Sequence, residues 1–596
     1  MSSSPKITAL RRAMAAHGID AYLISGSDPH RSEYVASRWA SRAWLSGFTG
    51  SAGTLIVTAD WAGLWTDSRY FIQAEQELAG SGIELMKLRV PHTPEYLDWL
   101  QAKLQTGQTL GYAGNCRSLN GAENLQRKLA PLGIEITPTQ DLLDEIWTDR
   151  PAPPTEKIQQ HPPQFADRPT LEKIKDFRSW MATKELDYFL VTALDEIAWL
   201  LNVRGSDIKY NPLVVSFLLI PESGPLEWFV GKERVPPPLL QEVELQLHSY
   251  RATAGRLLEL ASQGMQIGVD PTTTNLAIYQ AAGGASVQKL ASPIPAWKAI
   301  KNEKATAHIR NAMARDGVTL LRLRRWLESG AAVGKTEYEV VQQLQHYRSQ
   351  LDNYQGDSFG AIVGYQGNGA IVHYDPPATG SATIGEEGLL LVDSGGQYLD
   401  GTTDITRTFS LGAPQTEERI NFTLVLKGMI DLSMAHFPKG TSGVQLEILA
   451  RQHLWKAGLN YGHGTGHGVG YFLNVHEGPA SISPNPRSAA TQRPLEAGMI
   501  FSNEPGYYKE GEYGIRCENL VQVYENEKGF LQFRSLTVFP FEKRLLVPSL
   551  LTDQQKEWLI LYHGQVYQSL APLLEDPEEL AWLTAACSIN EVLSQH

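Results

Sequence analysis

The chain has 596 residues, 42% hydrophobic and 20% charged, proportions that exclude disorder as the dominant state. Its 52 Lys and Arg stand against 65 Asp and Glu, a net charge of −13, which lacks the basic footprint of a nucleic-acid binder. Three cysteines, Cys116, Cys517 and Cys587, are too few for a disulfide framework, and no apolar run approaches the roughly 20 residues of a membrane helix, so a soluble, cytoplasmic protein without membrane or nucleic-acid partners is expected.

At roughly 100–200 residues per domain, about three or four domains fit this length. The chain opens on MSSSPKITALRRAMAAHGID, a capped amphipathic helix rather than a signal peptide. A short buried strand is predicted at Ala21–Ile24 and another at Gly53–Val57. Trp39, Trp44, Tyr70 and Phe71 are expected in the core. Prolines from Pro151 to Pro163 then predict an extended linker.

Beyond the linker, FRSWMATKELDYFLVTALD (177–195) echoes LRRAMAAHGIDAYLISGSD (10–28). A constant offset of 167 residues aligns Asp20 with Asp187 and Leu23 with Leu190, the pattern of an internal duplication. Strands are predicted at Tyr188–Val191, Leu213–Ile220 and Leu226–Val230. A second joint falls at Ser292-Pro293-Ile294-Pro295. Three domains result: 1–155 and 156–300, related α/β units, and 301–596.

The third block opens on a helix, Lys301–Glu328. Short strands follow at Gly360–Val363, Gly388–Val392, Thr403–Phe409, Met499–Asn503 and Asn519–Tyr524, with helices at Glu417–His436 and Val444–Ala457. This is an α+β pattern of mostly antiparallel strands covered by helices, ending in a helical tail over Asp553–Leu573 and Pro577–Ala586.

Chemistry concentrates in that block. Asp393 ends the apolar run Leu389–Val392, and Asp404 follows eleven residues on, after a Gly-rich turn. A hairpin would bring the two together, and adjacent carboxylates repel unless a proton or cation lies between them; two turn-forming aspartates would give the same pattern. YGHGTGHGVGYFLNVHEGP (461–479) sets His463, His467 and His476 among glycines that let backbone approach a ligand closely. It lacks the GK[ST] of a phosphate loop. Glu504 and Glu518 follow β-prone segments, with Arg516 two residues before Glu518, where it could equally be a plain ion-pair partner. Four carboxylates and one imidazole (Asp393, Asp404, His467, Glu504, Glu518) balance two divalent cations and suit hard or borderline ions such as Mn²⁺. Two such ions about 3.5–4 Å apart would bridge a water and hold it as hydroxide for hydrolysis.

HYDPPATG (373–380), LLLVDSGGQYLDGTTDITRTF (389–409), YGHGTGHGVGYFLNVHEGP (461–479), FSNEPGYY (501–508) and GIRCEN (514–519) resemble the M24 pita-bread metallopeptidases, and among them the long, three-domain, cytosolic aminopeptidase P type. WLSGFTGSAGTLIV…LWTDSRYFIQA (44–74) and LTDQQKEWLILYH (551–563) extend the resemblance over essentially the whole chain. It implies two creatinase/ribonuclease H-like N-terminal domains, a pita-bread catalytic domain, and removal of an N-terminal residue from peptides with proline second. By the same resemblance Asp393 binds one of two metals, Mn²⁺ before Zn²⁺ or Co²⁺; Asp404 and Glu518 bridge both; His467 and Glu504 complete the second. His463 and His476 steady the carbonyl or oxyanion, Glu504 shuttles the proton, His373 and His476 line the proline pocket, and Arg516 orients the bridging glutamate. Cys517 stands where relatives carry an aliphatic residue, and on a strand it should point away from Glu518. The resemblance also implies a homodimer. Prolidase shares the ligands but acts on dipeptides, methionine aminopeptidase is shorter, and non-catalytic pita-bread modules usually lose the ligands that are all present here.

Overall fold

The computed structural model describes residues 4–90, 93–284 and 287–594. The chain divides into two units, Met1–Ile294 and Pro295–His596.

The first unit holds two six-stranded sheets of one topology. One runs Glu84–Lys87, Ala62–Thr66, Thr54–Thr58, Ala21–Ser25, Thr109–Ala113, Glu135–Thr139; the other runs Leu245–His248, Leu226–Phe229, Phe217–Pro221, Tyr188–Val191, Ile267–Val269, Val287–Lys289. Strand directions agree pair by pair: Ala21–Ser25 is antiparallel to Thr54–Thr58 and parallel to Thr109–Ala113, as Tyr188–Val191 is to Phe217–Pro221 and Ile267–Val269. The correspondence reaches single side chains. Asp20 accepts from the Thr109 amide at 2.8 Å while its own amide donates to the Thr109 carbonyl. Asp187 does the same with Gln266, at 2.7 Å. Each aspartate thereby locks the start of a central strand to its parallel neighbour.

Two details differ from the sequence pattern here. The apolar run from Leu213 becomes strand only at Phe217–Pro221, because the Val215 amide donates to the buried Asp207 carboxylate at 2.7 Å instead of a strand. The first helix, Pro5–Ala16, starts on Pro at its first turn, and Ser4 makes no side-chain cap. Trp39 and Tyr70 are buried in this unit, and Trp44 packs half-buried against Trp147 with ring centroids 4.8 Å apart.

In the second unit every named strand pair is antiparallel. Gly388–Ser394 lies between Ile362–Tyr365 and Ile405–Leu411, and Ile500–Asn503 lies between Gly466–Gly468 and Asn519–Glu525. These strands carry the acidic motifs. Their backing is a core built from Leu389, Leu390, Val392, Phe409 and Ile515 with Val425, Met429 and Leu559 of the helices Thr416–Ser433 and Asp553–Leu570. Glu303–Glu328 starts on the Asn302 side chain, which accepts from the Ala305 amide at 2.8 Å. No helix among the described residues is long and apolar enough to cross a membrane.

Candidate metal centre

Asp393 and Asp404 are brought together by register. Asp393 pairs with Thr406 and Ser394 with Ile405 across the two central strands, which sets Asp404 at the head of the second strand. Gly395 in the connecting turn has no room for a side chain: a Cβ there would lie 1.9 Å from the Thr403 carbonyl. Both carboxylates are buried, at 7% and 4% exposure. A side chain that leaves water so completely must find a partner or a counter-charge.

The histidine loop supplies the next face. His467 lies in the short strand Gly466–Gly468, opposite Ser481. Its glycines serve sheet packing rather than a ligand: a Cβ on Gly466 would meet the Ser502 carbonyl at 1.9 Å, and one on Gly468 the Glu477 carbonyl at 2.3 Å. His467 Nδ1 lies 3.0 Å from the Gly468 carbonyl. A carbonyl only accepts, so Nδ1 carries a proton there and Nε2 is the ring nitrogen left for a ligand. Nε2 faces Asp404 Oδ2 and Glu504 Oε1, each 3.5 Å away.

Glu504 and Glu518 close the centre from the strand pair Ile500–Asn503 and Asn519–Glu525, each standing next to the pair Asn503 and Asn519. The Glu504 carboxylate accepts from Ser502 Oγ at 3.1 Å, and Glu518 accepts from Thr406 Oγ1 at 2.7 Å. Asp404, His467 and Glu518 present ligand atoms all within 4.8 Å of one another. Burial, then repulsion from Asp393 and Glu504, pushes Asp404 well above the ordinary carboxylate range. Burial, then Asp404, Asp393 and Glu504, does the same to Glu518. Glu504 rises to about 7, driven first by burial and only partly offset by Arg516.

This donor set fits divalent cations. Buried carboxylates converge with one imidazole nitrogen, and the buried Asp393 Oδ1 has no hydrogen-bond partner. Oxygen-rich ligation with one imidazole suits hard or borderline ions over thiophilic ones.

Arg516 ties the remaining polar groups into one relay. It donates to Asp393 Oδ2 at 2.6 Å, to the Tyr508 hydroxyl at 2.7 Å and to Thr406 Oγ1 at 3.1 Å. It therefore pairs directly with Asp393 and reaches Glu518 only through the Thr406 hydroxyl. His463 Nδ1 lies 2.8 Å from the Gly464 carbonyl and its Nε2 lies 2.8 Å from the Tyr508 hydroxyl. His476 packs edge-on against His467, ring centroids 4.4 Å apart. His373 joins the centre less directly: the carbonyl of its neighbour Val372 accepts from Arg516 at 3.4 Å. Cys517 is buried in the apolar core.

Several supporting residues are not ligand types and draw no attention by spacing. Tyr508 sits inside FSNEPGYY, four residues after Glu504, and Thr406 two after Asp404. Glu447 splits the stretch read as one helix into Gly443–Leu446 and Ile448–Lys456. It pairs with Arg451 and accepts from Thr465 at 2.9 Å, and Arg451 in turn donates to the His463 carbonyl at 2.5 Å. A buried Arg four residues after a Glu was the one available sequence clue.

Comparison with known proteins agrees with this picture. Residues 307–525 match metallopeptidase family M24 and 529–589 the C-terminal region of peptidase_M24. Residues 6–146 and 149–305 each match a creatinase/prolidase N-terminal domain. A probable Xaa-Pro aminopeptidase P from Laccaria bicolor is 38% identical over 606 residues, 99% of this chain and 94% of that one. Aminopeptidase P2 from Arabidopsis thaliana is 38% identical over 97% of this chain and 87% of its own length. The crystal structure of X-prolyl aminopeptidase from Caenorhabditis elegans, described as a cytosolic enzyme with a di-nuclear active site, matches with a TM-score of 0.93 and 34% identity, covering 99% of this chain and 100% of that one. Fold and acidic centre define a metallopeptidase preceded by two creatinase-type domains. Within that class, the chain belongs to the Xaa-Pro aminopeptidase P family of M24 metallopeptidases.

Proposed function

We propose that the protein releases the N-terminal residue from peptides with proline in second place. The reading rests on one observation above the rest: Asp404, His467 and Glu518 bring ligand atoms within 4.8 Å of one another, with His467 Nε2 3.5 Å from carboxylate oxygens of Asp404 and Glu504, an arrangement a cation would fit. Asp393, Asp404, His467, Glu504 and Glu518 would hold two divalent ions, Mn²⁺ by the hardness of the donor set, with Zn²⁺ or Co²⁺ as substitutes. When bound, the pair would supply a water of lowered pKa and Lewis-acid polarisation of the scissile carbonyl.

The chain's own groups do the rest. Asp404 and Glu518 would stand between the two cation positions, with Asp393 serving one side and His467 with Glu504 the other. Glu504 takes the proton of the attacking water and carries it to the prolyl nitrogen, which leaves poorly unless protonated. His476 and His463 face the developing oxyanion. His463 would reach it from its Nε2 side, where the Tyr508 hydroxyl now sits. His373 and His476 line the space for the proline ring. Arg516 fixes Asp393 and, through Thr406, Glu518, the kind of outer support that sets ligand orientation.

The three domains we assign are 1–155, 156–300 and 301–596, the last carrying all of this chemistry. The cytosolic description of the Caenorhabditis elegans relative and cysteines that are all free support a cytoplasmic location. A homodimer follows from the family resemblance, and light scattering checks it. The substrate assignment is tested by comparing Arg-Pro-Pro with Arg-Ala-Pro: arginine should be released from the first alone, and equal release from both would refute it.

A further inference from the structure

Glu337 is the first residue of the helix Glu337–Ser349 and has 0% exposure. No lysine, arginine or histidine among the described residues lies within ion-pair distance of it. Donors surround it instead. Its Oε1 accepts from the Tyr365 amide at 2.7 Å and from Asn368 Nδ2 at 3.1 Å. Its Oε2 accepts from Asn368 Nδ2 at 3.0 Å, the Tyr374 hydroxyl at 2.7 Å and the Ala382 amide at 2.9 Å. A carboxylate is the one side chain that accepts on both ends and donates on neither. A glutamine would turn an NH₂ toward one set of these donors. The helix N-terminus adds favourable field for the charge. Burial and then the Glu337 carboxylate keep the Tyr374 hydroxyl protonated.

All four donor residues come from one stretch, 365–382. Within it His373 is flanked on both sides by anchored neighbours: Tyr374 on Glu337, and Val372, whose carbonyl accepts from Arg516 at 3.4 Å. Arg516 also holds Asp393. The loop is thus pinned at one end of His373 to a buried carboxylate and at the other to the arginine of the acidic centre.

We propose that Glu337 is a positioning residue for the substrate pocket, acting through Tyr374 to fix His373. This rests on the substrate-lining role given to His373 above. The hub does not touch substrate. It removes freedom from the loop before binding, so that less ordering is left for the peptide to bring about.

The test uses full-length protein saturated with Mn²⁺, Arg-Pro-Pro as substrate, and the variants Glu337→Gln, Tyr374→Phe, His373→Ala and the Tyr374→Phe/His373→Ala double. Tyr374→Phe removes one hydroxyl and is the mildest. It should raise KM about tenfold, the worth of one hydrogen bond to a charged group, while kcat stays within about twofold. In the His373→Ala background the same change should add nothing, because the two act as one unit. Hydrogen exchange in Glu337→Gln should accelerate over residues 366–382 and stay unchanged in Gly388–Ser394. Multiplying effects in the double variant would overturn the coupling to His373. Unchanged exchange over 366–382 would overturn the positioning itself. A silent His373→Ala would overturn the pocket role of His373 and, with it, the catalytic consequence of the hub.

Discussion

Arg516 Nη2 lies 2.6 Å from Asp393 Oδ2, while the other oxygen of that carboxylate, Oδ1, is buried without a hydrogen-bond partner. One oxygen is fixed so that the other points where a cation can take it. A lysine ammonium at 516 could not span the four acceptors that arginine now reaches. Arg516→Lys should therefore weaken Mn²⁺ binding about 10–100-fold, the range for residues that orient a ligand from behind. Isothermal titration calorimetry on metal-free protein checks this; unchanged affinity would show that Asp393 needs no such support.

Removing a ligand should cost more than removing its support. His467→Ala takes away the imidazole in the cluster with Asp404 and Glu518, and Glu518→Ala removes the carboxylate proposed to stand between both ion positions. Each should lower Arg-Pro-Pro hydrolysis by more than about 100-fold and reduce bound metal below two ions per chain by elemental analysis. Full activity in either variant would sink the ligand assignment.

The raised carboxylates give the metal-free protein a pH signature. Asp404 and Glu518 are pushed well up, first by burial, and Glu504 to about 7. In the folded state these groups hold protons that the unfolded chain has already released. By linkage, their contribution is favourable below the ordinary carboxylate range and is lost as pH rises through about 7. The Tm measured in chelator should fall from pH 5 to pH 8, and the upward shift produced by Mn²⁺ should grow over the same interval. A flat chelator profile, or a metal shift that shrinks with pH, would contradict the electrostatic account.

Stability in the first unit should separate from chemistry. Asp20 and Asp187 each accept one backbone amide from a neighbouring strand. Asp20→Ala or Asp187→Ala should each cost about 1 kcal/mol. They lie in different sheets, so the double variant should add within about 0.5 kcal/mol. Denaturant melts check the energies, and kcat on Arg-Pro-Pro should stay unchanged in all three proteins.

How far the sequence reveals this molecule depends on the kind of residue. The offset that aligns Asp20 with Asp187 is visible because both the aspartate and the buried strand after it repeat, and the two sheets share one topology. Asp393 and Asp404 are legible because a charge at the end of an apolar run is conspicuous. The glycines of 462–470 are legible as non-helical, but Gly466 and Gly468 serve close strand packing, which for Gly466 depends on Ser502, far along the chain. Glu447 stands between two short helices with its own backbone still at helical angles, and its partner Thr465 lies outside both. Glu337 lies outside every motif, and Tyr508, though inside FSNEPGYY, is not a ligand type; each acquires its meaning from partners that only folding brings near.

The most direct test of the central claim is the rate of arginine release from Arg-Pro-Pro by chelator-treated protein as Mn²⁺ is added back. The account predicts no release without metal and a rise that saturates near two ions per chain, absent in His467→Ala. Release at full rate in excess chelator, or saturation at one ion, would contradict it.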